Sequence, residues 1–372
     1  MKMRTELRPA LIGFAIMLSV AVGAMQRATP PRAAAAAPQG GVTARVVAAA
    51  GAFLATLNDA ERAKATFGFT SSQRTGWSNL PTGIFERNGL RFGDMTPQQR
   101  AAALALVAAA LSREGYEKVT NIMNGDEVLK NAGGGRTGGR PGAAPPPGAG
   151  GRGGAGGRGG GLAFGLDEYY IALLGAPSTT APWMIQFGGH HLAINVTVVG
   201  PNSAMTPSLP AAQPASYTLN GQTIRPLGDE NDKGFALINA LNAEQQKQAI
   251  LNYQVRDLVL GPGADGKTIQ PEGILASALD ARQQALLLDV AHEWVGILND
   301  EAATRRMAEI KTDLPRTYFA WSGSTKNGEL AYYRIQGPTL LIEYAPQQGD
   351  IDHIHTIYRD PTNDYGAKLV KP

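Results

Sequence analysis

Cysteine is absent from the 372 residues, which removes disulfides, thiolate metal sites and a cysteine nucleophile together. Histidine is nearly as scarce, with five in the chain. Only 17% of residues are charged while 43% are hydrophobic, a balance that supports a packed core. Beyond residue 24 no run is apolar enough to span a bilayer. There is no Gly-x-Ser-x-Gly nucleophile elbow, and no glycine-rich stretch reads as a phosphate-binding loop. His292, alone in DVAHEWVG, has no second histidine four residues on, so the zinc-protease helix pattern fails and it reads as an ordinary helix residue.

What is present begins with MKMRTELRPALIGFAIMLSVAVGAMQ. A basic start, an apolar run and the small-residue end Val22-Gly23-Ala24 form the pattern of a secretory signal over residues 1–24. The expectation is a periplasmic or secreted protein with no stable membrane span after cleavage; a retained anchor is the alternative. Residues 25–43 read as a flexible linker. Residues 133–161, GGGRTGGRPGAAPPPGAGGRGGAGGRGGG, read as a disordered surface insertion with too little apolar surface to fold. The formal charge of +3 comes from these two places: Lys2, Arg4 and Arg8 against Glu6, and four arginines with no acid in the insertion. Without them the remainder is net negative, which argues against a nucleic-acid partner.

Three pairs of segments resemble one another in the same order: 53–66 with 237–250, 95–111 with 278–294, and 168–196 with 317–344. Asn58 with Glu61, Thr96 with Gln99, and Asp280 with Gln283 have capping-box spacing, and Pro97 suits a first helical position. Behind Thr96, the residues Ala103, Leu104, Val107 and Leu111 should form a buried stripe. The later part of each unit alternates aromatic and β-branched residues between Gly and Pro clusters, as antiparallel hairpins do. The reading is an α+β fold, an internally duplicated helices-then-strands unit with helical layers packed on antiparallel sheet. It forms a single domain over 44–372, with repeat one at about 44–200, repeat two at about 235–345, and a C-terminal His-x-His segment at 346–372.

Four of the five histidines fall in two short stretches, GGHHLAIN and IDHIHTIYRDP. If HHLAIN is a strand, His191, Ala193 and Asn195 share one face and His190, Leu192 and Ile194 the other. Aligning Gly189 with Gly337 sets TLLIEY beside it, with Thr339, Leu341 and Glu343 on one face. His353 and His355, two apart, point the same way. The expected metal ligands are His191, Glu343, His353 and His355 around one divalent transition ion: zinc, iron, copper or manganese. His190 is expected in the core or in support. Asn195, Trp183, Gln186, Tyr333, Gln336 and Arg74 are candidates to support the site or line a substrate cleft. Trp77 and Asn79 lie in the same polar stretch as Arg74, SSQRTGWSNLP. Arg359 and Asp360 are the catalytic candidates, Arg359 as a bidentate anchor for an anion or, equally, in a local ion pair.

The stretches TLNDAERAKATFGF, MTPQQRAAALALVAAALSREGYEKV, PWMIQFGGHHLAINVTVVG, YYRIQGPTLLIEY and DHIHTIYRDPTNDYG, in that order, resemble the bacterial proteins grouped as domain of unknown function 3500. The resemblance covers about residues 45–366. It carries the GHH-L-x-x-N and HIH-x-x-x-RD segments, matched by His190, His191, Asn195, His353, His355, Arg359 and Asp360. The family implies no activity, and the Gly/Arg/Pro insertion departs from its pattern.

Three functions stay open on the sequence. The first is an exported metal-dependent enzyme, hydrolase or oxidoreductase. The second is a non-catalytic protein binding a small molecule or glycan. The third is an envelope interaction protein with structural histidines.

Overall fold

A computed structural model describes residues 41–133 and 161–370. The expected signal 1–24, nearly all of the linker 25–43 and all but the ends of the insertion 133–161 lie outside the described residues. Helices α1 (Val42–Ala55) and α2 (Asp59–Ala65) lead into strand β1 (Thr66–Phe67), a long loop and β2 (Leu90–Arg91). Then come α3 (Pro97–Ala110), α4 (Arg113–Asn131) and the strands β3 (Tyr170–Leu174), β4 (Trp183–Gly189) and β5 (Leu192–Val199). After β6 (Asn202–Ala204), β7 (Leu209–Pro210) and the hairpin β8 (Tyr217–Leu219) with β9 (Gln222–Ile224), the series starts again. It runs α5 (Gly228–Ala240), α6 (Ala243–Ala249), a long loop, β10 (Ile274–Leu275), α7 (Ala281–Val295) and α8 (Asp300–Asp313). The strands β11 (Tyr318–Gly323), β12 (Ala331–Gly337) and β13 (Leu340–Pro346) complete it, followed by β14 (Ile354–Arg359) and the short α9 (Ala367–Val370). The fold is α+β, and apart from β1 the order of elements from α1 to β5 recurs from α5 to β13.

Helix starts follow the capping spacing. Asn58, Thr96 and Asp280 each accept from the backbone N–H three residues on, and Glu61, Gln99 and Gln283 accept the cap residue's own N–H in return. The two glutamines do more. Gln99 donates to the Thr56 carbonyl (3.1 Å) and to Glu61 (2.8 Å), while Gln283 donates to the Ala240 carbonyl (2.8 Å) and to Gln245 (2.8 Å). Each helix pair is thereby fixed at its cap to the pair before it, in the same way in both series. The stripe expected on α3 is buried at Ala103, Val107 and Leu111, joined by Leu106 and Ala110, while Leu104 is only half-buried against the core.

One sheet runs β1-β3-β4-β5-β6, with β2 on β3 and β7 on β5; the other runs β10-β11-β12-β13-β14. Apart from the parallel pair of β1 with β3, neighbours are antiparallel. Side chains alternate faces as a strand requires. Ile171, Leu173, Ile185, Ile194, Ile335 and Ile342 pack with the helices in one core. The opposite face carries Ala172, Met184, Ala193 and Ile357, under Trp77 and Tyr365. Long loops cover this second face, residues 68–89 on one sheet and 251–273 on the other.

Two seams join the halves. In the helical layer, Leu111 bridges Leu298, each the residue just before a helix N-cap. Ser112 donates from its N–H to the Ile297 carbonyl (3.0 Å) and from its hydroxyl to the Gly296 carbonyl (2.5 Å). Gly115 must be glycine there, because a Cβ would collide with the Ile297 carbonyl. In the strand layer, Ser208 and Ala212 bridge Tyr358 and Ile354 of β14, while Leu209 and Pro210 pair with Ala193 and Leu192 of β5. Residues 208–212 thus stitch the edge of the first sheet to the edge of the second.

Candidate metal centre

That stitch creates the site. Ala211 donates to the carbonyl of His191 (2.8 Å), and the next residue, Ala212, exchanges two backbone hydrogen bonds with Ile354 (2.9 Å each). Ile354 lies between His353 and His355, so the register itself brings the two histidine stretches face to face. The result is three converging imidazoles. His191 Nε2 is 2.7 Å from His353 Nε2, which is 3.1 Å from His355 Nε2. His191 and His355 are buried, and His353 is partly exposed. This triad is one of two groups among the described residues that could hold a metal ion; the other is Asp126, His190 and His191.

His190 and His191 are not strand residues. Gly189 pairs with Leu192, so they form the two-residue turn between β4 and β5, with His191 at φ +62°. That left-handed conformation favours Gly or Asn, and a histidine held there is strained by about 1–3 kcal/mol. The alternation expected for HHLAIN therefore starts only at Leu192, and both rings project from a hairpin tip. The matching tip, Pro338-Thr339 between Gly337 and Leu340, has no imidazole.

Two carboxylates that the sequence reading missed orient the rings. Asp257, from the loop covering the second sheet, lies 3.0 Å from His355 Nδ1. Asp126, on α4 and fully buried, lies 2.7 Å from His190 Nδ1 and also accepts the Gly165 N–H (2.7 Å). A carboxylate on Nδ1 fixes the proton there and leaves Nε2 as a lone pair, the usual support for a metal-binding histidine. Neither acid stands near a histidine in sequence, so only an alignment of spatial neighbours would have revealed them. Asn79 reaches the cluster from the other covering loop. Its carbonyl accepts the His191 N–H (3.1 Å) and its amide nitrogen lies 3.2 Å from His355 Nε2.

Burial sets the protonation. The His191 pKa falls well below its ordinary value because burial removes water from the ring, and the neighbouring histidines push it further. His353 is pushed down to about 3 by burial and then by His355 and His190. His190 is lowered too, by burial working against the pull of Asp126. A histidine that is neutral when folded but charges freely when unfolded stabilises the fold above the unfolded value of about 6.5. That contribution is lost as pH falls toward the folded value. Urea-unfolding midpoints are therefore expected to drop between pH 7.5 and 5. In a His353→Gln variant the drop is smaller.

The other candidates lie elsewhere. Glu343, expected as a ligand, is fully buried away from the triad: its oxygens accept the Val259 N–H (3.0 Å), the Leu260 N–H (2.8 Å) and the Tyr332 hydroxyl (2.6 Å). On β13 it sits opposite Ile357, two residues beyond His355, and the same covering loop that brings Asp257 to His355 occupies it. Arg359 and Asp360, expected as catalytic residues, are absorbed in structure. Arg359 pairs with Asp265 and Asp364 and donates to the Leu260 carbonyl, roughly 13 Å along β14 from His355. Asp360 caps Thr362 and meets Arg306 (3.3 Å). Gln186 and Asn195 are cross-strand partners joined at 3.1 Å, and Asn195 donates to the Pro207 carbonyl at the start of the stitch (2.9 Å). Arg74 reaches the Tyr365 carbonyl (3.1 Å), and Trp77 donates to the Tyr365 hydroxyl (2.8 Å). Trp183 and Tyr333 are core residues, bonded to the carbonyls of Ser178 and Glu230, and Gln336 donates to the Ile269 carbonyl. Trp183 and Tyr333 lie in the helix-side core, whereas Arg359 is held by the loop that covers the second sheet.

Residues 261–268, GPGADGKT, do have the glycine-lysine-threonine spacing of a phosphate loop, contrary to the sequence reading. No strand leads into the segment and no helix follows it, and Asp265 is spent on Arg359 and Tyr365. The context that gives that motif its chemistry is missing.

A cavity of about 590 Å³ opens on the loop-covered face, lined by Arg256, Ser322, Leu330, Tyr332, Gln348 and Ile351 among others. Arg256 adjoins Asp257. Across the sheet, Ala345 pairs with His355, and the pairing of Tyr333 with Tyr344 sets Tyr332 beside Ala345. Tyr332 is thus two strands from His355, roughly 10 Å at ordinary strand spacing. Among the described residues no helix is long and apolar enough to cross a membrane.

The model of the family described as Protein of unknown function (DUF3500) matches residues 39–367. No curated protein and no solved structure matches the chain.

Proposed function

We propose that this chain, which belongs to the DUF3500 family, is an exported metal-dependent enzyme whose ion is held by His191, His353 and His355. One observation carries the reading: three imidazole Nε2 atoms from two distant stretches converge within hydrogen-bond distance. With all three Nε2 atoms deprotonated, lone pairs at that spacing repel unless a cation lies among them. Ligands on a tetrahedral ion with bonds of about 2.0–2.1 Å sit roughly 3.3 Å apart, so the His191–His353 and His353–His355 contacts would open by a few tenths of an ångström on binding.

The donor set narrows the chemistry. With Glu343 engaged elsewhere, His191, His353 and His355 do not assemble the two-histidine, one-carboxylate set of non-haem iron oxygenases. Three neutral nitrogens leave the ion's charge uncompensated, which favours zinc-type activation of a bound water and hydrolysis over redox chemistry. Asp257 holds His355 in the ligating tautomer, and Asn79 fixes the backbone of His191. The half-exposed side of His353 gives access, and the cavity beside Arg256 and Tyr332 accommodates a small molecule or glycan. Residues 1–24 act as the export signal, and the recurring series of elements derives from duplication of one unit.

Elemental analysis of purified full-length protein tests this. Bound zinc, or another transition ion in its place, is expected at one or more per chain. The His353→Ala, His355→Ala double variant should lose that ion while keeping its far-ultraviolet circular dichroism. A wild-type protein that binds no transition ion after dialysis against each candidate would overturn the reading, leaving a binding or envelope-interaction role.

A further inference from the structure

The hairpin tip carries more donors than one ion uses. His191 has two ring nitrogens on opposite edges, and the triad takes only Nε2. Its Nδ1 is buried and has no hydrogen-bond partner. In a dry interior an unpaired ring N–H costs about 1–3 kcal/mol, and one at the centre of a polar cluster needs an explanation. Beside it stand His190, whose ring lies 3.6 Å from that of His191, and Asp126, whose Oδ1 is 2.7 Å from His190 Nδ1. Asp126, His190 and His191 offer donor atoms that all lie within 4.8 Å of one another, and all three residues are buried.

We infer that Asp126, His190 and His191 form a second metal site, with the His191 imidazole bridging it to the first. This inference rests on the proposed metal centre and extends it. The second ion takes one oxygen of Asp126, Nδ1 of His190 and Nδ1 of His191. On binding, the His190 proton shifts from Nδ1 to Nε2. The His191 ring gives up its remaining proton to solvent and becomes an imidazolate. The buried carboxylate and the imidazolate together balance a divalent charge. A ring with a metal–nitrogen bond of about 2.0 Å at each edge separates the ions by roughly 6 Å.

The probe is divalent copper added to the metal-stripped full-length chain, read by elemental analysis and electron paramagnetic resonance. Two coppers per chain are expected, with a spin signal well below that of two isolated ions because the imidazolate couples them. His190→Ala should bind one copper with a full, uncoupled signal. Asp126 also holds the Gly165 N–H, so Asp126→Asn serves as a second variant only where circular dichroism shows it folded, and it too should bind one. One copper per wild-type chain overturns the bridged site while leaving the three-histidine centre intact. Two coppers with the full signal of isolated ions, or loss of both ions from folded His190→Ala, overturn it as well. No copper at all overturns both readings.

Discussion

Replacing Lys118 by methionine is expected to cost about 3–5 kcal/mol of stability, the scale for breaking a buried ion pair from one side. Lys118 on α4 lies between Glu230 on α5, 2.5 Å away, and Glu293 on α7, 3.0 Å away. Glu293 keeps a second cation, Lys233 (2.7 Å), but Glu230 has none, and its side chain is 0% exposed. Burial already raises the Glu230 pKa, with Lys118 as the main opposing influence. Removing Lys118 raises it further. An acid whose folded pKa lies above its unfolded one favours folding at low pH and loses that advantage as pH rises through the folded value. The difference between variant and wild type should therefore be small near pH 4.5 and largest near pH 7.5, by urea titration. Glu230→Gln added to Lys118→Met should recover much of the loss. An equal penalty at both pH values would remove Glu230 as its source.

Glu343→Ala is the second large effect, and it separates the sequence reading from the structure. The carboxyl oxygens hold two successive backbone N–H groups of the covering loop and the Tyr332 hydroxyl. Truncation leaves the buried Leu260 N–H and the Tyr332 hydroxyl unpaired and opens a void, together costing about 3–5 kcal/mol. Metal content measured at a temperature where the variant remains folded should equal the wild type's. Loss of the ion with little change in stability would return Glu343 to the ligand set and sink the three-histidine assignment.

Local features of the chain were readable because their causes are local. A cap acceptor three residues before Gln99 or Gln283 needs nothing beyond its own turn, and the helices begin where that spacing places them. Strand periodicity in IHTIYR is similarly self-contained, so His353 and His355 share a side. The α+β class follows from the order of such segments. HHLAIN was misread for a related reason: period-two alternation and a two-residue turn between Gly189 and Leu192 look alike in sequence, and only the pairing register separates them.

The site's membership was decided by tertiary structure. Glu343, Arg359 and Asp360 have the right chemistry for a catalytic centre, yet the loop that brings Asp257 and Asp265 onto the second sheet engages Glu343 through its backbone and Arg359 through Asp265. Asp126 and Asp257 stand far from every histidine in the chain and reach the rings only through helix packing and loop covering. The sequence by itself determined which imidazoles exist and that they come in two stretches. Their convergence depended on residues 208–212 pairing with both β5 and β14, because a long-range backbone register, unlike a cap or a turn, leaves no local trace.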